Sequence, residues 1–473
     1  MSCNHPKLLG WSLAATLAVS LSLVADPLLP GGDTTSNQAS FSQPASNLSL
    51  DEKMPFHLGD SIFDKLWVSS PASTEASDGL GPFYNARSCA RCHINNGRGH
   101  PPEVKDTSRF NRSFLLRLSI PPETEQQKNE LLEGRLGFIP EPTYGAQIQD
   151  QALQGITAEG QVGVRYEEHP VRFPDGEVVS LRKPTFFVKK LNYGELHPQT
   201  RFSGRVAPPM IGLGLLEAIP ENEILSNAIN QAKEDNGISG QANQVWDVEK
   251  QQKALGRFGW KAAHPTLKQQ NNAAFIEDIG ISTLMFPWGH GGCTPLQKEC
   301  RQLPDGNSDH LDGVEASAKV VEVLEFYTRT LAVPARRNAD QTTVQAGEQH
   351  FHQVGCAQCH RPSYTTSKEA MPSLAAQTIW PYTDLLLHDM GEGLADEHSE
   401  FQAAGSEWRT PPLWGIGLTQ RISGHTQLLH DGRARNILEA ILWHGGEAEA
   451  TKHHFMQLSR EKRQELIDFV ESL

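Results

Sequence analysis

Hydrophobic and polar residues follow three patterns along this chain, and each predicts a different element. The first is a continuous apolar run over 8–24, broken only by small residues, with His5 and Lys7 before it and Ala25-Asp26-Pro27 after it. That arrangement predicts a cleaved export leader over 1–25, with an uncleaved membrane anchor as the other reading. The second pattern is helical spacing. Ile62, Phe63, Leu66 and Trp67 predict a short helix over 61–67. Further helices are expected over 221–233, over 265–277 with Pro265 at the start, and over 315–331. The chain ends on Leu466, Ile467, Phe469, Val470 and Leu473, with Ser459 as an N-cap. The third pattern is strict alternation over 162–191, centred on Phe173-Pro174-Asp175-Gly176-Glu177. Pro-Asp-Gly between alternating segments predicts a β-hairpin.

Composition narrows the functional classes. The chain has 473 residues, with Lys+Arg 42 against Asp+Glu 56, a net charge of −14. So acidic a balance argues against nucleic acid and against adhesion to anionic lipid. The numerous glycines (40) and prolines (30) predict long ordered loops between modest helices. Residues 33 to about 50 are rich in Ser, Thr, Asn and Gln and read as flexible.

The cysteines carry the chemistry. Cys3 falls in the leader, and the other six form three pairs. Cys293 and Cys300, seven apart in a Gly/Pro-rich loop, predict a disulfide in an exported chain. Cys89-x-x-Cys92-His93 and Cys356-x-x-Cys359-His360 are two copies of the c-type haem attachment signature. One turn sets both thiols within reach of the haem vinyl groups and holds the next histidine beneath the iron. With 7 Cys and 19 His in the chain, chance predicts about 0.004 such pentapeptides. A zinc site would have to join pairs 267 residues apart (356 − 89) and would leave both histidines unexplained. A thioredoxin-like motif would not need them either.

Two covalently bound haem c groups are therefore expected. Each motif follows a short apolar helix, and the terminal helix suits the crossing that closes small cytochrome c cores. The expected fold is mainly α: two cytochrome c-like haem domains with long ordered loops, the first expanded by a β-containing insert. The boundaries are a leader at 1–25, a flexible linker at 26–55, a first haem domain at 56–333 with its insert at about 145–255, and a second at 334–473.

Longer motifs carry a family resemblance. They are the run 79–89 leading into the first haem motif, Gly97-Arg98-Gly99, the run 212–220, and Gly256-Arg257-Phe258-Gly259-Trp260-Lys261-Ala262. His388-Asp389-Met390-Gly391, Arg409-Thr410-Pro411-Pro412-Leu413-Trp414 and His430-Asp431-Gly432-Arg433-Ala434 complete the set. Over about 56–473 the chain resembles the di-haem oxidoreductases, also called thiol oxidoreductases, relatives of bacterial di-haem cytochrome c peroxidases and MauG-type enzymes. The resemblance implies a division of labour. A reactive N-terminal haem meets hydrogen peroxide or another oxidant, and a C-terminal haem passes electrons to it. It also implies that the helix after 430–434 delivers His444 as second axial ligand opposite His360. Aligning the corresponding helix of the first half puts Ala274 opposite His444, which would leave the iron above His93 open. Gln270 matches a distal glutamine, Glu277 or Asp278 a distal acid, and Trp260 or Phe258 an aromatic electron relay. His100 is another candidate for the first haem's sixth site. Ca²⁺ at the domain interface is implied as well.

The expected protein is thus a periplasmic, peroxidase-like di-haem oxidoreductase, served by a small soluble cytochrome or copper protein. It would have no membrane contact beyond the leader. A MauG-like oxidase of a protein or small molecule, and a non-enzymatic di-haem electron carrier, stay open as alternatives.

Overall fold

Each haem motif sits beside a crossing of two helices. The computed structural model describes residues 1–2, 27–102 and 113–473; positions 3–25 of the predicted leader, with the apolar run over 8–24, lie outside them. In the first half, the helix Leu50–Asp64 crosses the helix Ala318–Thr330. Gly59 marks the crossing: a Cβ there would lie 2.5 Å from Tyr327 Cβ and 2.6 Å from the Val323 carbonyl oxygen. In the second half, the helix Thr342–Val354 crosses Arg460–Ser472 at Gly347. There a Cβ would lie 1.9 Å from the Glu465 carbonyl oxygen. One aromatic ring from each leading helix reaches its motif histidine, Phe63 at 6.0 Å from His93 and Phe351 at 6.4 Å from His360.

Several boundaries differ from expectation for local reasons. The leading helix starts at Leu50 because Ser49 and Glu52 form a reciprocal capping box. It ends before Trp67, which is buried beyond it. The segment before it, expected to be a flexible linker, packs on the body of the protein. Phe41, Ala45 and Leu48 are buried there, and Ser36 pairs with Pro334. The helix expected over 265–277 is Leu267–Ala274, capped by Thr266, and then widens into a π-helical turn, Phe275–Ile279.

The mainly α expectation is corrected to a mixed α and β structure. Helices account for 33% of it. Among the described residues the strands form six two-stranded antiparallel sheets. Glycine- and proline-rich loops, with short sheets tying them down, make up most of the remainder. The hairpin is present as Gln161–Arg172 paired with Val178–Lys189. Its tip reaches the second half: Phe173 and Leu181 share an apolar cluster with Phe351, Leu466 and Phe469. Arg463 of the terminal helix lies over the Phe173 ring and pairs with Asp175 and Glu177. Arg182 donates to the carbonyls of Gly432 and Arg433. Cys293 and Cys300 are joined in a disulfide with Cα atoms 5.9 Å apart. Among the described residues no helix is long and apolar enough to cross a membrane.

Candidate functional site

A cavity of about 400 Å³ runs between the two halves and reaches both motifs, a volume in the range of ligand sites. Cys89, Cys92, Cys356 and Cys359 line it, and none of them is in a disulfide. Burial raises all four thiols, Cys89 and Cys356 to about 12. The Cys89–Cys92 turn is α-helical and the Cys356–Gln358 turn is 3₁₀. Each brings its two sulfurs and the following histidine to the same space.

Three histidines line the cavity in the same way. The ring Nδ1 of His93 lies 2.8 Å from the Pro208 carbonyl, that of His360 2.9 Å from Tyr382, and that of His444 2.7 Å from Ala440. A carbonyl can only accept, so each Nδ1 carries the proton and each Nε2 keeps a free lone pair. No Nε2 of the three has a partner among the described residues. Burial lowers all three, His93 and His360 to about 4, so the rings are neutral at physiological pH. A neutral, oriented imidazole with one bare nitrogen is what an iron ligand requires. Tyr382 holds its carbonyl toward His360 from a left-handed backbone conformation, φ 53°. His444 directly follows the helix Ile437–Trp443, whose N-cap is Asn436.

The remaining predicted residues fall on the first half of the cavity. Gln270 lines it, with Oε1 buried and unbonded. Ala274 lines it as well. Glu277 and Asp278, inseparable in sequence, part ways in the π-helical turn. Glu277 pairs with Arg117, while Asp278 lines the cavity and accepts from Gln147 Nε2 at 3.0 Å. Burial raises Asp278 to about 6, against the opposing pull of Arg117 and Gln147. Trp260 is buried between the halves, its indole N–H donating to the Val206 carbonyl at 2.9 Å. Phe258 lines the cavity too. His100 does not: it is exposed and meets the ring of His425 at 4.6 Å.

Sequence reasoning passed over several lining residues. His264 is there with an unbonded Nδ1, beside Arg117 and Glu277. His430 stacks on Trp408 at 3.6 Å. His388 lies between Asp384 (2.9 Å) and Glu447 (2.7 Å), with Cys359 Sγ at 3.6 Å. Burial acts to lower its pKa, but Asp384 and its other partners raise it to about 12. Cys359, Asp384 and His388 also form a cluster with ligand atoms within 4.8 Å. That nitrogen- and sulfur-containing set does not suit the Ca²⁺ implied by the resemblance, which takes oxygen ligands. The motifs 388–391 and 430–434 pointed to His388 and His430, and no motif pointed to His264.

Paired thiols and oriented imidazoles on one mostly apolar cavity fit the haem chemistry expected from the two CxxCH motifs. The chain belongs to the family described as "Di-haem oxidoreductase, putative peroxidase", which matches residues 30–473. It is thus a member of a family of two-haem oxidoreductases. A comparison with curated proteins finds no match. Among solved structures it is similar to a chain of Kuenenia stuttgartiensis hydrazine synthase, solved under xenon pressure. That likeness is 16% identity over 56% of this chain and 87% of that one, with a TM-score of 0.24.

Proposed function

We propose that the protein is an exported, peroxidase-like di-haem c oxidoreductase whose two haems do different work. Cys89, Cys92 and His93 would hold the first haem, and Cys356, Cys359, His360 and His444 the second. When bound, haem would supply redox-active iron chemistry, reaction with an oxidant in the first half and electron transfer in the second.

One observation carries this division. His444 lines the same cavity as His360, its Nδ1 tethered to the Ala440 carbonyl and its Nε2 without a partner among the described residues. A second tethered imidazole is thus available to the second haem, whereas the histidine that the first half adds to the cavity, His264, has no partner on Nδ1 to fix its ring. Around His93 the cavity offers Gln270, Ala274 and Asp278 instead. Gln270 Oε1 can accept a hydrogen bond from hydrogen peroxide and orient it. Asp278, ionised near neutral pH, can take the proton of the near oxygen and return it to the far one. Trp260 is the rigid aromatic bridge between the halves. Export to the periplasm is supported by the leader-like run over 8–24. A small soluble cytochrome or copper protein is the proposed donor.

The reading is tested on the purified protein by a pyridine haemochrome assay, EPR and peroxide turnover with a reduced donor. Two haems per chain are expected, one of them low-spin with two histidine ligands, with peroxide consumption. Two low-spin irons that stay six-coordinate on reduction and ignore peroxide would replace this reading with the electron carrier.

A further inference from the structure

Two buried cations in the cavity form no ion pair among the described residues. Arg98 is 6% exposed and Arg409 8%, and both line the cavity. Arg117 and Arg205, which line it too, are paired with Glu277 and Glu400. Neither Arg98 nor Arg409 has an ion pair among the described residues. Nε and Nη2 of Arg98 are buried and have no hydrogen-bond partner among the described residues. Arg409 donates only to carbonyls, Gly259 from Nε at 3.0 Å and Thr410 from Nη1 at 3.2 Å. Burial lowers both guanidinium groups to about 10, which leaves them charged at neutral pH. The carboxylates that act on them through space, Asp431 on Arg98 and Asp384 on Arg409, are themselves paired with Arg433 and His388, so each buried guanidinium has room for a carboxylate of its own.

The two arginines flank Trp260 from opposite halves. Arg98 lies 5.2 Å over the indole ring, and the Arg409 backbone N–H donates to the Trp260 carbonyl at 2.9 Å. The loop of Arg98 is tied to the one that orients His93: Gly99 N–H donates to Ala207 O, and Met210 N–H to Asn96 O. The loop of Arg409 is tied to the one that orients His360: Thr410 N–H donates to Leu386 O, and the Thr383 hydroxyl to Thr410 O.

We propose that Arg98 and Arg409 are carboxylate-binding residues, Arg98 taking a propionate of the haem on His93 and Arg409 a propionate of the haem on His360. This rests on the two-haem reading above. The Nε/Nη2 edge of Arg98 can meet a carboxylate with two parallel hydrogen bonds, while Arg409, with Nε and Nη1 on carbonyls, offers Nη2 and its charge. A small free carboxylate would satisfy the same chemistry, so the experiment separates the two sources.

Redox titration of the purified di-haem protein resolves a midpoint potential for each haem. Arg98→Gln is expected to shift only the first haem's potential to more negative values, because losing a nearby positive charge favours the ferric iron. Arg409→Gln is expected to do the same to the second haem alone. Haem content stays at two per chain, since the thioethers hold it. Unmoved potentials with two haems present would overturn the proposal. Fewer than two haems in the unmodified protein would overturn the two-haem reading instead. In a second arm, acetate is titrated into the unmodified protein. A saturable spectral response that Arg98→Gln abolishes, with potentials unmoved, would assign the site to a free carboxylate. No response, with shifted potentials, supports the propionates. If Arg98→Gln does not accumulate, Arg98→Lys keeps the charge but loses the fork. It is expected to move the propionate bending band of one haem in the resonance Raman spectrum, and an unmoved band would overturn the proposal.

Discussion

At the scale of single residues, the distal acid turns on one step of backbone. Periodicity could not separate Glu277 from Asp278, because a regular helix and a π turn diverge by about one position at this point. The structure turns Glu277 to Arg117 and leaves Asp278 facing the cavity. Asp278→Asn should therefore slow the reaction with peroxide by about tenfold to a hundredfold, and Glu277→Gln much less. The pH dependence has a definite sign. Asp278 must be ionised to accept a proton, and burial has raised it to about 6. The rate should fall as pH drops through about 6, and Asp278→Asn should abolish that limb. Stopped-flow rates across pH 5–8 check both points, and a limb that persists in the variant would remove Asp278 from the role. The six CxxCH residues were legible because their chemistry is local, three side chains within one turn. The bare guanidinium of Arg98 was not, because its meaning is the absence of a partner, which only three dimensions reveal.

At the scale of elements, the helices read best where their caps are written in the sequence. Ser459 caps the terminal helix as expected, and Phe173 to Glu177 turns the hairpin. Two features escaped because they depend on distant partners. One is the hairpin's attachment to the other half through Arg463 and Arg182, since nothing local identifies which surface an alternating strand pair will cover. The other is the pair of helix crossings. Gly347 reads as a weak point in a helix, yet it is where the terminal helix comes closest. Gly347→Ala should destabilise the second half by about 1–3 kcal/mol or more, since the added methyl meets backbone that cannot yield. Thermal unfolding of the purified protein would detect this, and an unchanged midpoint would mean that the crossing can open. The Cys293–Cys300 bridge closes a short loop and should contribute about 2–3 kcal/mol in the chain-entropy model. Cys293→Ser with Cys300→Ser should lower the unfolding midpoint accordingly. Mass mapping that finds both cysteines alkylated without reduction would reject the bridge.

At the scale of the whole molecule, the two halves repeat one plan with one difference. Each has a leading helix, a glycine at a crossing, an aromatic against the motif histidine, and a carbonyl on that histidine's Nδ1. Among the described residues the second half adds His444, tethered through Nδ1 to Ala440, while the first half's added cavity histidine, His264, has no partner on Nδ1. His444 gains that place because the helix Ile437–Trp443 stops there, and its ring N–H is tied back to Ala440 in the last turn. The matching helix in the first half presents Ala274 to the same cavity and then opens into the turn that carries Asp278. An alanine cannot ligate iron, so the asymmetry is built into the two helix ends. His444→Ala should therefore convert one low-spin ferric signal to high-spin and leave the other haem's signal unchanged. Haem content should stay at two, since the cysteines and motif histidines are untouched. Added imidazole should restore the low-spin signal by filling the space the ring vacated. EPR of the variant with and without imidazole decides the matter. If both signals survive the substitution, His444 is not the ligand and the second haem must find its sixth partner elsewhere on the cavity wall. If both change together, the halves are coupled too tightly for the separate roles argued for them.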